Sequence, residues 1–149
     1  MKTRLVLSLA VLLAVGVTLG AQRTPSRRHI VIAGADARLP FSNGVLAGNT
    51  LYLAGVLGVD ADGRIPEDLD KEIRNALERI KAVLAEGGMT MDDLVTVQVF
   101  CPDLSLYGKF NDIYRSYFTK EMPARAFIGS GPLLRGAHFE VQGIAVKRN

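Results

Sequence analysis

The sequence predicts an α+β domain, a mixed β-sheet with two helices packed on one face. Three observations carry this reading. Residues 66–86 place Leu69, Ile73, Ala76, Leu77, Ile80, Val83 and Leu84 at three- and four-residue steps, which makes one apolar helical stripe. Residues 94–101 alternate Val95, Val97 and Val99 with Thr96 and Gln98, the period of two that belongs to a strand. Short apolar runs bounded by Gly, Asn and Pro lie before the first helix and after the second. The order is therefore strands, helix, strand, helix, strand, strand.

Residues 22–36 read as a basic, Pro-containing linker with a possible edge strand at 29–33, and residues 37–149 as a single domain that opens on a loop. Residues 44–47 and 50–56 flank Gly48-Asn49, a pair that tolerates positive φ and so predicts a hairpin. Residues 60–63 form a turn. The helix over 66–86 follows, with Glu67, Asp68 and Asp70 at its start, where the helix dipole favours negative charge, and Gly87-Gly88 at its stop. Pro102-Asp103 ends the central strand. A second helix is expected over 104–118, burying Leu106, Tyr107, Phe110, Ile113, Tyr114, Tyr117 and Phe118 as core. The last strands are expected at 124–130 and 137–147. Both are apolar on both alternations, so the sheet face without helices is expected to meet another subunit.

The chain has 149 residues, 48% hydrophobic and 22% charged, which suits one domain with an ordinary core rather than disorder. Residues 1–21 differ from the rest. Lys2 and Arg4 precede a nearly unbroken Leu, Val and Ala run that ends in Gly20-Ala21, the layout of a signal peptide cleaved after Gly20 or Ala21. The expected location is periplasmic or secreted; the alternative is an uncleaved N-terminal anchor. Once the leader is cleaved, no stable membrane span is expected. Removing residues 1–21 lowers the net charge from +3 to +1, and the chain has no Trp, so no nucleic-acid partner is expected. The single Cys101 excludes an internal disulfide and reads as a buried small hydrophobe. With only His29 and His138 besides, no metal site is expected. Gly129-Ser130-Gly131 lacks the Lys and following helix of a phosphate loop and reads as a turn.

Two residues carry charge where the pattern is apolar. Arg125 lies in the penultimate strand and Glu140 in the last. Each is costly to bury unless it pairs or binds something. A guanidinium held by strands suits a carboxylate, because its planar fork donates parallel hydrogen bonds. If the last two strands pair antiparallel across residues 131–136, Arg125 and Glu140 share a face, either as a plain salt bridge or as a site. His138 beside Glu140 suggests a weaker His–Glu dyad.

The order of several motifs resembles that of the Rid (YjgF) family of reactive-intermediate deaminases, whose older name is endoribonuclease L-PSP. The motifs are Leu39-Pro40-Phe41-Ser42-Asn43-Gly44, Leu53-Ala54-Gly55, Leu84-Ala85-Glu86-Gly87-Gly88, Val95-Thr96-Val97-Gln98-Val99-Phe100, Phe110-Asn111-Asp112-Ile113-Tyr114, Pro123-Ala124-Arg125 and Gly136-Ala137-His138-Phe139-Glu140. The resemblance covers residues 37–147. It implies a chorismate-mutase-like fold, a homotrimer with ligand clefts between subunits, and hydrolysis of small 2-enamino and 2-imino acids to 2-oxo acids and ammonia. It implies no metal and no cofactor. It gives Arg125 the substrate carboxylate and Glu140 the water, and it puts Asn111 and Gly55 at the cleft. Three positions depart from the family: Phe41 stands for the usual tyrosine, Ala54 for a serine and Phe127 for a cysteine. A cleft bordered by Phe41 and Phe127 is expected to be more apolar. The alternative function is a non-catalytic module that binds a small carboxylate such as a 2-oxo acid.

Overall fold

A computed structural model describes residues 26–33 and 38–148. The leader expected at residues 1–21, and with it the expected location, lies outside the described residues. The strands are β1 (Arg27–Ile30), β2 (Gly44–Ala47), β3 (Thr50–Leu53), β4 (Val56–Leu57), β5 (Leu94–Cys101), β6 (Ala124–Gly129) and β7 (Glu140–Val146). The helices are α1 (Leu69–Glu86) and α2 (Tyr107–Tyr114). The sheet order is β1-β2-β3-β7-β5-β6, with β4 also paired to β7. Only the β5–β6 pair is parallel, because α2 lies in the crossover between them. This is the α+β arrangement that the residue pattern predicts, with differences at element ends and in one strand pairing.

The ends have local causes. α1 begins at Leu69 rather than at residue 66, because the Asp68 side chain accepts from the Asp70 N–H at 2.9 Å and so caps the helix. The second helix is divided. Tyr107–Tyr114 is α-helical, with 3₁₀ turns at Leu104–Leu106 and Arg115–Tyr117. Asp103 caps the first turn through the Ser105 N–H, and the Ser116 hydroxyl donates back to the Ile113 carbonyl at the second. The edge strand sits at Arg27–Ile30, two residues earlier than expected, and pairs with β2.

The larger correction concerns β6 and β7. They do not pair with each other. β5 lies between them, with Val97 opposite Arg125 on one side and Gly143 on the other. The intervening chain does not form a hairpin. Leu134–Gly136 makes a 3₁₀ turn in which Arg135 and Gly136 take positive φ of 60° and 68°. The N–H groups of His138 and Phe139 then turn to the Glu72 carboxylate of α1 instead of to a strand. β7 accordingly starts at Glu140 rather than at residue 137.

Both helices cover the same sheet face. Val97, Val99 and Cys101 of β5, Val141 and Ala145 of β7 and Leu51 of β3 are buried beneath Ile73, Leu77, Ile80, Val83 and Leu84 of α1. The opposite face has no covering layer among the described residues. Tyr52, Phe100, Gln142 and Ile144 lie there in cross-strand register, none of them buried. The Gln142 amide donates to Gln98 Oε1 at 2.5 Å on that face.

Gly58 follows β4 and allows α1 to lie directly on the sheet, since a Cβ built there would sit 1.9 Å from the Glu72 carbonyl oxygen. Gly58→Ala is therefore expected to lower stability by about 1–3 kcal/mol, the usual range for overpacking. The urea unfolding midpoint measures this, and an unchanged midpoint would contradict the contact.

Candidate functional site

The crossover helix and the edge strand it serves build one half of a site. Arg125 takes the register of Val97 and so projects on the helix-covered side of the edge strand. Its Nη2 donates to Asn111 Oδ1 of α2 at 2.6 Å. Aromatic rings surround the guanidinium carbon, with ring centroids at 4.6 Å (Tyr114), 5.7 Å (Tyr107), 5.8 Å (Phe127) and 5.9 Å (Phe110). Such contacts contribute about 0.5–2 kcal/mol each, more as water is excluded. They hold the cation without using its N–H donors.

One buried donor atom remains without a partner. Nη1 of Arg125 is buried and has no hydrogen-bond partner among the described residues. Leaving a buried donor unmade costs about 1–3 kcal/mol. The same side chain borders an open cleft of 260 Å³ lined by Tyr107, Asn111, Tyr114, Arg115, Met122, Pro123 and Arg125. An anion in that cleft would lie against the Arg125 guanidinium. The Tyr114 hydroxyl is also buried without a partner, and burial pushes its pKa up to about 12 against the smaller opposing pull of Arg125. It stays protonated and neutral, so the positive charge of Arg125 is not cancelled from that side.

Glu140 belongs to a second locality. It starts β7 opposite Phe100 and Leu57, on the sheet face without helices. Its Oε1 lies against Gly55, where a Cβ would come within 2.0 Å. Tyr52 pairs with Ile144 and Val56 with Val141, so the β3–β4 run carries one residue more than β7 across the break. That extra residue is a bulge at Leu53–Gly55, and bulges of this kind re-aim side chains beside sites. The Ala54 N–H donates to the Asn43 carbonyl at 3.0 Å and fixes the bulge.

The expected face-sharing of Arg125 and Glu140 is corrected. The two lie two strand spacings apart and three residues apart along the strands, about 14 Å, on opposite faces. No ligand the size of an amino acid reaches both within one protomer. Asn111 does join Arg125, and Gly55 joins Glu140. Phe127 stands behind the guanidinium, edge-on to Tyr107 and Phe110 at 5.1 and 5.6 Å, and is absent from the cleft lining. Phe41 is half exposed in the loop ahead of β2. His138 pairs with Glu72, Nδ1 to Oε2 at 2.7 Å, and not with Glu140. Sequence reasoning missed Glu72 as a polar residue of interest and took Tyr107 and Tyr114 only as core. Glu72 has a signal: it sits three residues after Leu69 and four before Ala76, on the buried stripe itself.

Cys101 is fully buried, and burial raises its thiol pKa. Its Sγ donates to the Asp103 carbonyl at 3.0 Å. The thiol is therefore expected to resist iodoacetamide in the native protein at mildly alkaline pH and to react fully once unfolded in guanidinium. Rapid native labelling followed by mass spectrometry would contradict this.

Comparison with known proteins places these features in a family. The family model described as Endoribonuclease L-PSP matches residues 32–147. A 2-iminobutanoate/2-iminopropanoate deaminase of Capra hircus is 35% identical over 124 residues, 81% of this chain and 90% of that protein. The crystal structure of the YjgF gene product of E. coli superposes with a TM-score of 0.75 at 29% identity, covering 81% of this chain and 99% of that one. E. coli TdcF with bound serine superposes with a TM-score of 0.75 at 26% identity, covering 81% and 100%.

Proposed function

The chain belongs to the endoribonuclease L-PSP (Rid) family, and from that premise we propose that it hydrolyses small 2-enamino and 2-imino acids to 2-oxo acids and ammonia. The observation that carries the reading is the Arg125 guanidinium, which lines an open cleft and has a buried Nη1 without a hydrogen-bond partner. A carboxylate is the ligand group that best satisfies such a donor, because a charge-assisted bond replaces an unmade one. The name of the Capra hircus relative and the serine bound to TdcF support a ligand of amino-acid size and charge.

The separation of Arg125 from Glu140 argues for a site shared between copies of the chain. The proposed assembly is a homotrimer in which the sheet face without helices meets its neighbours and the Glu140 of one protomer faces the Arg125 cleft of the next. This assembly also covers Tyr52, Phe100 and Ile144, which one protomer leaves unburied.

In this arrangement Arg125 fixes the carboxylate and turns C2 of the imine toward a water held by Glu140. Holding both partners removes most of the entropic barrier to their meeting. Glu140 orients the water and accepts its proton as the C–O bond forms at C2. The C=N π pair passes to the protonated nitrogen as that bond forms, leaving an amine and a hydroxyl on C2. Glu140 returns its proton to the amine, the C–N bond breaks as the hydroxyl proton is lost to water, and ammonia leaves the 2-oxo acid. An enamine is first protonated at C3 to give the imine. We extend the proposal to an exported protein, with residues 1–21 as its leader.

Capture of a small carboxylate without turnover is the second reading. Ala54 favours it, since it brings no hydroxyl beside Gly55, and Phe41 in the loop ahead of β2 carries none either.

The test generates 2-iminobutanoate in situ with an amino-acid oxidase and follows 2-oxobutanoate release. The protein is expected to accelerate release, and Arg125→Ala is expected to lower kcat/KM about ten- to a hundredfold by losing roughly 1.5–3 kcal/mol of carboxylate binding. Full activity in Arg125→Ala would contradict the proposal. No acceleration, together with Arg125-dependent binding of 2-oxobutanoate in calorimetry, would select the second reading. Light scattering is expected to give the mass of three protomers, and a stable monomer would remove the shared site.

A further inference from the structure

Glu72 is the one charged residue of α1 that is fully buried, at 0% exposure. Its carboxylate makes three contacts, all to the two residues immediately ahead of β7. Oε1 accepts from the His138 N–H at 2.7 Å and the Phe139 N–H at 3.1 Å, and Oε2 meets His138 Nδ1 at 2.7 Å. The next residue is Glu140.

These contacts belong to a closed circuit. Glu72 holds residues 138 and 139. Glu140 follows, paired in register with Leu57 of β4. Gly55 at one end of β4 rests against the Glu140 carboxylate, and Gly58 at the other end rests against the Glu72 main chain. Each link is a close contact or a hydrogen bond, so the position of the Glu140 side chain is set from both sides.

A buried carboxylate is a poor choice for stability alone, since a well-packed apolar residue at such a position is often as good or better. It is a good choice for fixing two backbone N–H groups in direction, because charge-assisted bonds are short and geometrically demanding.

We propose that Glu72 is the positioning residue for Glu140. Through the main chain of residues 138 and 139, it sets where the water-holding carboxylate stands. The proposal rests on the role given to Glu140 above and adds a residue that never touches the substrate.

The experiment measures kcat and KM for 2-iminobutanoate in Glu72→Ala, Glu72→Gln and His138→Ala. The carboxylate is bound by Arg125 of the neighbouring protomer, away from Glu72, so KM is expected to stay within about twofold. A misplacement of about 1 Å costs up to a hundredfold in rate, so kcat of Glu72→Ala is expected to fall about ten- to a hundredfold. Glu72→Gln keeps an oxygen for both N–H groups and is expected to recover most of that loss. His138→Ala removes only the half-exposed ring and is expected to lower kcat a few-fold, so it serves if Glu72→Ala does not fold. An unchanged kcat in an assembled variant, or a KM that rises in step with the fall in kcat, overturns the proposal.

A crystal structure of an assembled variant gives a readout independent of turnover. The Glu140 carboxylate is expected to have left Gly55, and an unmoved carboxylate overturns the proposal even in a protein that proves not to hydrolyse imines. Loss of activity in Arg125→Ala, measured alongside, reports on the deaminase reading separately.

Discussion

The central strand β5 governs what this molecule can do. It takes β6 as a parallel neighbour and β7 as an antiparallel one, and strand alternation then fixes the side of every residue that follows. Arg125 falls on the helix-covered side, where Asn111 and the aromatic side chains of α2 receive it. Glu140 falls on the other side, where Gly55 makes room for it. Neither placement can change without a one-residue slip; a slip of β6 would also turn Phe127 away from Phe110, and a slip of β7 would turn Val141 and Ala145 out of the core. The hydrophobic register that stabilises the sheet thus also holds the two chemical groups apart. The proposed enzyme is workable because a neighbouring copy can bring together what one chain separates.

The two halves are held by different physics. Arg125 depends on ring faces and one hydrogen bond, which leave a donor free for a ligand. Glu140 depends on backbone: a bulge, two glycines that allow close approach, and a carboxylate on α1 that ties down the chain just before it. The first half keeps a binding contact in reserve. The second fixes a direction. That division matches a reaction in which the carboxylate must be gripped and the water must be aimed.

Much of this was legible in the chain. The α1 stripe, the alternation of β5 and the Gly48-Asn49 hairpin turn follow from local periodicity and turn chemistry, and β5 has the bounds that its pattern predicts. The misjudged pairing of β6 with β7 has a clear cause. Strands adjacent in sequence are usually adjacent in space, but Arg135 and Gly136 at positive φ and the capture of residues 138 and 139 by Glu72 divert the connection. Glu72 itself stood on the buried stripe, and the helical period alone places it there. Its partner, 66 residues away, carries no local signal. The unpartnered Nη1 of Arg125 could not be read either, because it depends on where Asn111 and four rings happen to stop.

A complementation experiment tests the shared site most directly. Arg125→Ala and Glu140→Gln chains, each of low activity alone, are unfolded together in equal amounts and refolded as mixed assemblies. If each site takes its arginine from one protomer and its glutamate from the next, random mixing in a cyclic trimer restores about a quarter of the wild-type activity. If both groups act from the same protomer, mixing restores nothing, and the account is contradicted.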